Sequence, residues 1–212
     1  MPMDAEPLVR ARFCQEWLAF AAKEEDPWRS RFFALLGEET RELIDASSRV
    51  AWVPIALHVK LADVLQEAYG VVRAHSYYRR AFAASLSGPI LGPLVRTGSR
   101  VLGIGVPTFV RWAPRGWEAA FRNAGGMMGE VVGPYHAKLT YFGLPPVCTA
   151  SEGWMISSQG SAYGAYDVMG VDGVVRLDMS GRSEGRMVLD LEWNALGSVP
   201  PPPRSTTQRP PQ

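Results

Sequence analysis

Apolar residues in the first half of the chain recur at helical spacing. Phe13, Trp17, Phe20 and Ala21 fall at i, i+4, i+7 and i+8, on one face of a helix. Pro7 suits the first turn of that helix. Asp26-Pro27 reads as an N-cap followed by a proline whose missing N–H costs nothing there. Trp28, Phe32, Leu35 and Leu36 then repeat the spacing, with Gly37 as the C-cap. Glu38-Glu39 lead into Leu43 and Ile44. Pro54 opens the clearest helix, with Leu57, Leu61, Val64, Leu65 and Ala68 as its stripe and Gly70 as its end. Ser76 caps a shorter helix carrying Tyr78, Phe82 and Leu86. Leu91, Leu94, Val95, Val101 and Leu102 form a further amphipathic run, punctuated by Gly92, Pro93 and Gly98. Pro107 starts a turn of helix through Phe109 and Val110. Pro114 breaks it, and Trp117 and Phe121 resume it before Gly125-Gly126.

The period then changes. Between Ala137 and Phe142, Leu139 and Tyr141 alternate with Lys138 and Thr140, as in a half-buried strand. Trp154, Ser158, Ala162, Tyr166 and Met169 return to helical spacing behind a Ser151 cap, and Gly153, Gly160 and Gly164 permit close packing. Val175, Leu177 and Met179 alternate again, as do Met187, Leu189, Leu191 and Trp193, with Ser180 to Gly185 as a hairpin loop. Helices followed by a small antiparallel sheet make an α+β domain, expected over residues 1–196. From Gly197 the chain reads as a disordered Pro-rich tail, residues 197–212, with a polyproline run from Pro200 to Pro203.

Whole-chain properties narrow the function classes. The chain is 212 residues, 47% hydrophobic and 20% charged, an ordinary globular composition that can bury a core without staples. With 22 basic and 21 acidic residues, it lacks the basic surplus that nucleic-acid binding requires. Arginine outnumbers lysine 19 to 3, a bias of codon usage typical of a high-GC bacterial genome. Cys14 and Cys148 lie far apart without CxxC spacing. They read as buried thiols in a reducing compartment, with a single bridge as the alternative. The first residues lack a signal-peptide pattern and no run is long enough to span a membrane, so the expected location is the cytoplasm.

Candidate chemistry is sparse. His58 lies in the helix after Pro54, one residue off the stripe, and reads as a helix-surface or boundary histidine rather than a base or ligand. His75 and His136 are placed in turns without neighbours at metal spacing, so no metal site is expected. Asp190 and Glu192 alternate on the outer, solvated face of the last strand. GxSxG is absent, and Ser157 to Ser161 lack the lysine of a P-loop. Gly103-Ile104-Gly105 lacks the third glycine of a dinucleotide turn. Arg111, Arg115 and Arg122 read as solvated arginines around Trp112 to Phe121. The aromatic set of the second half is the most suggestive feature. Trp112, Trp117, Phe121, Trp154, Tyr163 and Tyr166 are the residues expected to line an apolar ligand pocket, against the plainer alternative of core packing.

Trp52-Val53-Pro54, the helix to Gly70, the segment Trp117-Glu118-Ala119-Ala120-Phe121-Arg122-Asn123-Ala124-Gly125, Leu144-Pro145 and the strands closing at Trp193 carry a resemblance. Over about Phe32 to Trp193, the chain resembles uncharacterised proteins of similar length from myxobacteria. More distantly it is similar to the ligand-binding fold of 4-vinyl-reductase-type domains, haem–NO-binding domains and trafficking-complex subunits. That resemblance implies a helical layer on a small antiparallel sheet, an apolar cavity and a dimer. It also implies binding or signalling, through an apolar small molecule or a protein partner, more than catalysis. The haem-binding relatives use a YxSxR-type motif with a proximal histidine. This sequence has no such motif, so no haem ligand carries over and no cofactor is expected. The cysteine cluster of some vinyl-reductase-type domains is absent as well. The expectation is a non-enzymatic sensory or scaffold module in bacterial signalling. The alternative is a small enzyme whose site gathers His58, Arg111 and Tyr163 by folding.

Overall fold

Residues 5–86 and 105–194 are described by the computed structural model. The run from Leu91 to Leu102 and the Pro-rich tail lie outside them. The chain opens with a strand where a helix start was expected. Pro7 precedes β1 (Leu8–Arg10), which pairs antiparallel with β2 (Trp52–Pro54) and β3 (Phe121–Arg122) in a sheet of order β2-β1-β3. Helices α1 (Ala11–Ala21), α2 (Trp28–Leu36) and α3 (Glu38–Asp45) follow the apolar spacing. Asp26 accepts from the Ser30 hydroxyl at 2.6 Å at the entry to α2, and Gly37, at φ 80°, both ends α2 and begins α3.

The long helix α4 (Ile55–Leu86) starts where Pro54 placed it. Gly70, at φ 74° and ψ 161°, interrupts the helix without ending it, and helix resumes at once to carry Tyr77 and Tyr78 into the core. His75 therefore sits in a helix, not a turn. Helix α5 (Val106–Ala120) begins with Pro107 as expected, yet Pro114 lies inside it. A proline cannot bond the carbonyl four residues back. That carbonyl belongs to Val110, and it lies over strand β4 where a Cβ on Gly129 would come within 2.1 Å of it. The freed oxygen thus faces a glycine, and the helix continues.

Strand β4 (Gly126–Gly133) did not stand out in the sequence, because its Met127-Met128 and Val131-Val132 doublets hide the alternation. It joins β5 (His136–Phe142), β6 (Gly173–Asp178) and β7 (Met187–Trp193) in a fully antiparallel sheet of order β4-β5-β7-β6. Register places Leu139 opposite Leu189, and Leu189 opposite Leu177, on the inner face. The outer face carries the row Glu130, Lys138, Asp190, Arg176, alternating in sign across four strands. His136 opens β5 and pairs with Asp190 at 2.6 Å, and Arg176 forks onto Glu192. A one-turn helix α6 (Pro146–Ala150) leads to α7 (Glu152–Met169).

Helix α7 lies between the sheet and α4. Its glycines face α4 closely: a Cβ on Gly164 would stand 2.4 Å from the Arg79 carbonyl oxygen. The Ser151 cap forms as expected, accepting from the Trp154 N–H at 2.9 Å. Among the described residues, no helix is long and apolar enough to cross a membrane. Cys14 and Cys148 are buried and unbridged.

Candidate functional site

Where α1, α4 and α5 meet α7 and the inner face of the larger sheet, side chains leave a cavity of about 350 Å³. Phe13 and Trp17 of α1, His58 and Phe82 of α4, and Phe109 and Trp117 of α5 form one side. Leu139, Tyr141 and Leu189 form its floor, with Trp154 and the serines of α7 beside them. The rings hold each other in fixed orientations. Trp117 stacks on Phe121 at 4.1 Å and meets Tyr141 edge-on at 5.3 Å. Trp117 also donates its indole N–H to the Gly125 carbonyl at 3.3 Å, which fixes the ring over the start of β4.

His58 is the least expected member. It is buried at 6% exposure, not at the helix surface, because α1 and α7 cover the side of α4 on which it projects. Its ring stacks on Trp17 at 4.2 Å, and its Nδ1 accepts from the Trp154 indole N–H at 3.2 Å. An indole N–H only donates, so Nδ1 is bare and the ring proton sits on Nε2. Burial pushes the His58 pKa down to about 3, which keeps the ring neutral. No sequence signal announced this: the single offset from the apolar stripe is what a surface position also shows.

The structure divides the sequence-selected aromatics. Trp117, Phe121 and Trp154 come together around the cavity. Trp112 does not join them. It is 58% exposed, with the Arg115 guanidinium 4.5 Å over its ring, because it falls on the solvent side of α5. Tyr163 and Tyr166 line a separate open cleft at the sheet edge, beside Arg79 and Trp193. There Tyr163 accepts from the Val175 N–H at 3.1 Å and Tyr166 donates to the Glu192 carbonyl at 3.2 Å, so both hydroxyls join α7 to the sheet. His58, Arg111 and Tyr163 are not gathered: Arg111 is exposed on α5, and Tyr163 belongs to the other cleft. Phe13, Trp17 and Phe82, which helical spacing placed on helices but not in the pocket, lie far from the aromatic-rich half and reach the cavity only through folding.

Neither a protein-family model nor a curated protein matches the sequence. Among solved structures, the chain is similar to H-NOX proteins. An oxygen-binding H-NOX domain related to soluble guanylate cyclases is 10% identical, with a TM-score of 0.57 over 91% of this chain and 100% of that one. The Fe(II) unliganded H-NOX protein from K. algicida is 9% identical, with a TM-score of 0.55 over the same shares. The likeness is one of fold. It agrees with the haem–NO-binding member of the resemblance read from the sequence.

That fold implies a haem iron, and the side chains can be tested for it. A histidine that holds a metal donates its other ring N–H to an acceptor. His58 has the reverse arrangement, since its Nδ1 faces the donor Trp154 and its Nε2 carries the proton. His75 packs on Tyr163 and His136 lies on the outer sheet face, so neither is in the cavity. Burial pushes the Tyr141 phenol up to about 12, which disfavours the phenolate an iron would need. Among the described residues, the donor set does not fit haem.

Proposed function

We propose that this chain is a non-catalytic sensory module that takes an apolar small molecule into the cavity between α1, α4, α5, α7 and the sheet. The observation that carries this reading is the cavity itself. It is lined mainly by aromatic and aliphatic side chains drawn from both halves of the chain, and it is within the range of small-molecule sites. Trp117, Phe121 and Trp154 are its principal ligand contacts. The cavity spans the contact between the helical layer and the sheet, so an occupant bears on both at once. Its filling can alter how the chain meets a partner or a second copy, which is how a sensor passes on a signal. The H-NOX-like fold supports the reading, because the neighbouring structures include an oxygen-binding domain.

The test is a titration of the full-length protein with 2-ethylnaphthalene, followed through the methyl NMR signals of Met127, Leu139 and Leu189. Saturable shifts confined to those lining residues, with a rise in melting temperature, are expected. Unsaturable shifts spread over exposed methyls would sink the proposal.

A further inference from the structure

Several polar groups in the cavity wall are committed to protein partners. Ser157 donates to the Trp154 carbonyl at 2.6 Å, Ser158 lies near the Tyr141 hydroxyl, and Ser85 donates to the Phe82 carbonyl at 2.8 Å. At the rim, the Arg12 guanidinium lies over the Phe13 ring at 4.7 Å and Glu16 pairs with Arg49 at 3.2 Å. Ser161 also lines the cavity without a hydrogen bond among the described residues, and the one uncommitted group that is buried is His58. Its Nδ1 is occupied by Trp154, and among the described residues no protein group accepts from its Nε2. The His58 side chain is itself part of the cavity lining. A buried N–H without an acceptor is costly, so such a group is satisfied by whatever enters.

Charge and size narrow the occupant further. His58 is neutral at ordinary pH, and Arg12, the rim group without an ion pair among the described residues, is solvent-exposed, so an ionised ligand beside His58 would be desolvated without a buried counter-charge. A dry apolar cavity of about 150 Å³ takes a single benzene ring. The present cavity, at about 350 Å³, is of two-ring size. The stacked walls, Trp17 on His58 and Trp117 on Phe121, favour a flat molecule.

We infer that the ligand is a neutral, planar, two-ring-sized compound carrying one hydrogen-bond acceptor, a carbonyl-type oxygen, that receives the Nε2–H of His58. This rests on the cavity reading above and adds its polar specificity. A site built around one buried donor discriminates strongly against an analogue that lacks the matching acceptor.

The experiment compares 2-acetylnaphthalene with 2-ethylnaphthalene, which have nearly the same shape but differ in the acceptor. On the full-length protein at pH 7, the ketone is expected to bind about tenfold more tightly, the increment of one net hydrogen bond. In His58→Phe the preference should fall to within about twofold while the hydrocarbon still binds. If that variant does not fold, nitrogen-15 spectra of the wild-type imidazoles serve instead. They should show His58 protonated on Nε2, with a shift at that nitrogen on adding the ketone and not the hydrocarbon. Equal affinities, or a His58 protonated on Nδ1, would overturn the inference and leave the apolar cavity intact. Failure of both compounds to bind would overturn the cavity reading too.

Discussion

The Trp154 indole N–H donates to His58 Nδ1 at 3.2 Å, joining α7 to α4 inside the core. The main-chain N–H of the same Trp154 is held by Ser151, whose hydroxyl in turn donates to Asp63 on α4. One tryptophan is therefore tied to α4 through both its backbone and its ring. The consequence for His58 is a fixed tautomer. With Nδ1 facing a donor, only the Nε2–H form fits, and burial keeps it uncharged.

Stability should fall with acidification through His58. Its folded pKa is about 3, below the value near 6.5 of an unfolded histidine. Above pH 6.5 neither state binds the proton, and the neutral buried ring costs nothing extra. As pH falls from 6.5 toward 3, the unfolded chain takes up a proton that the folded chain refuses. Stability is then lost at up to about 1.4 kcal/mol per pH unit. Urea unfolding of wild type and His58→Phe between pH 7 and 4.5 checks this, and the variant should show a distinctly flatter profile.

Ser151→Ala removes the acceptor for the Trp154 N–H and strands the Asp63 carboxylate. Loss of an N-cap costs about 1–2 kcal/mol. The urea midpoint should drop accordingly. Ser183→Ala, in the exposed turn between β6 and β7, should leave it unchanged.

Two glycine replacements should move in opposite directions. A Cβ on Gly164 would stand 2.4 Å from the Arg79 carbonyl, a backbone atom that cannot yield, so Gly164→Ala should destabilise by about 1–3 kcal/mol. On Gly116 a Cβ meets nothing within 4 Å in a helical stretch, so Gly116→Ala should stabilise by about 0.5–1 kcal/mol. Thermal melts of the two variants against wild type decide both.

Much of this fold was legible because local chemistry and tertiary packing agree in it. The alternation in β5, β6 and β7, the Ser151 cap and the Gly37 terminus each state a structure within a few residues. The misreadings come from places where long-range contacts decide. Pro114 stays helical because Gly129, on a strand further along the chain, leaves space for the Val110 carbonyl. Leu8 to Arg10 form a strand because β2 and β3 supply hydrogen bonds from distant residues. The cavity was half visible. Trp117, Phe121 and Trp154 could be picked by aromatic density, but Trp112 has the same composition and faces water. His58 was hidden because an offset of one position on a helix does not reveal that a second helix covers it.

The cavity can be closed without touching any hydrogen bond. Ala113 lines it from α5, and its side chain ends at Cβ, so a larger apolar residue there grows into the empty volume. Ala113→Phe should leave the melting temperature unchanged or raise it, since new buried apolar area contributes about 25 cal/mol per Å² when it fills space without strain. The same change should abolish the saturable methyl shifts of Met127, Leu139 and Leu189 with 2-ethylnaphthalene. Trp112→Ser, one residue earlier on the exposed side of α5, should bind as wild type does. The pair separates a ligand held between helices and sheet from one lying on the surface of α5. In the second case Trp112→Ser would weaken binding and Ala113→Phe would not.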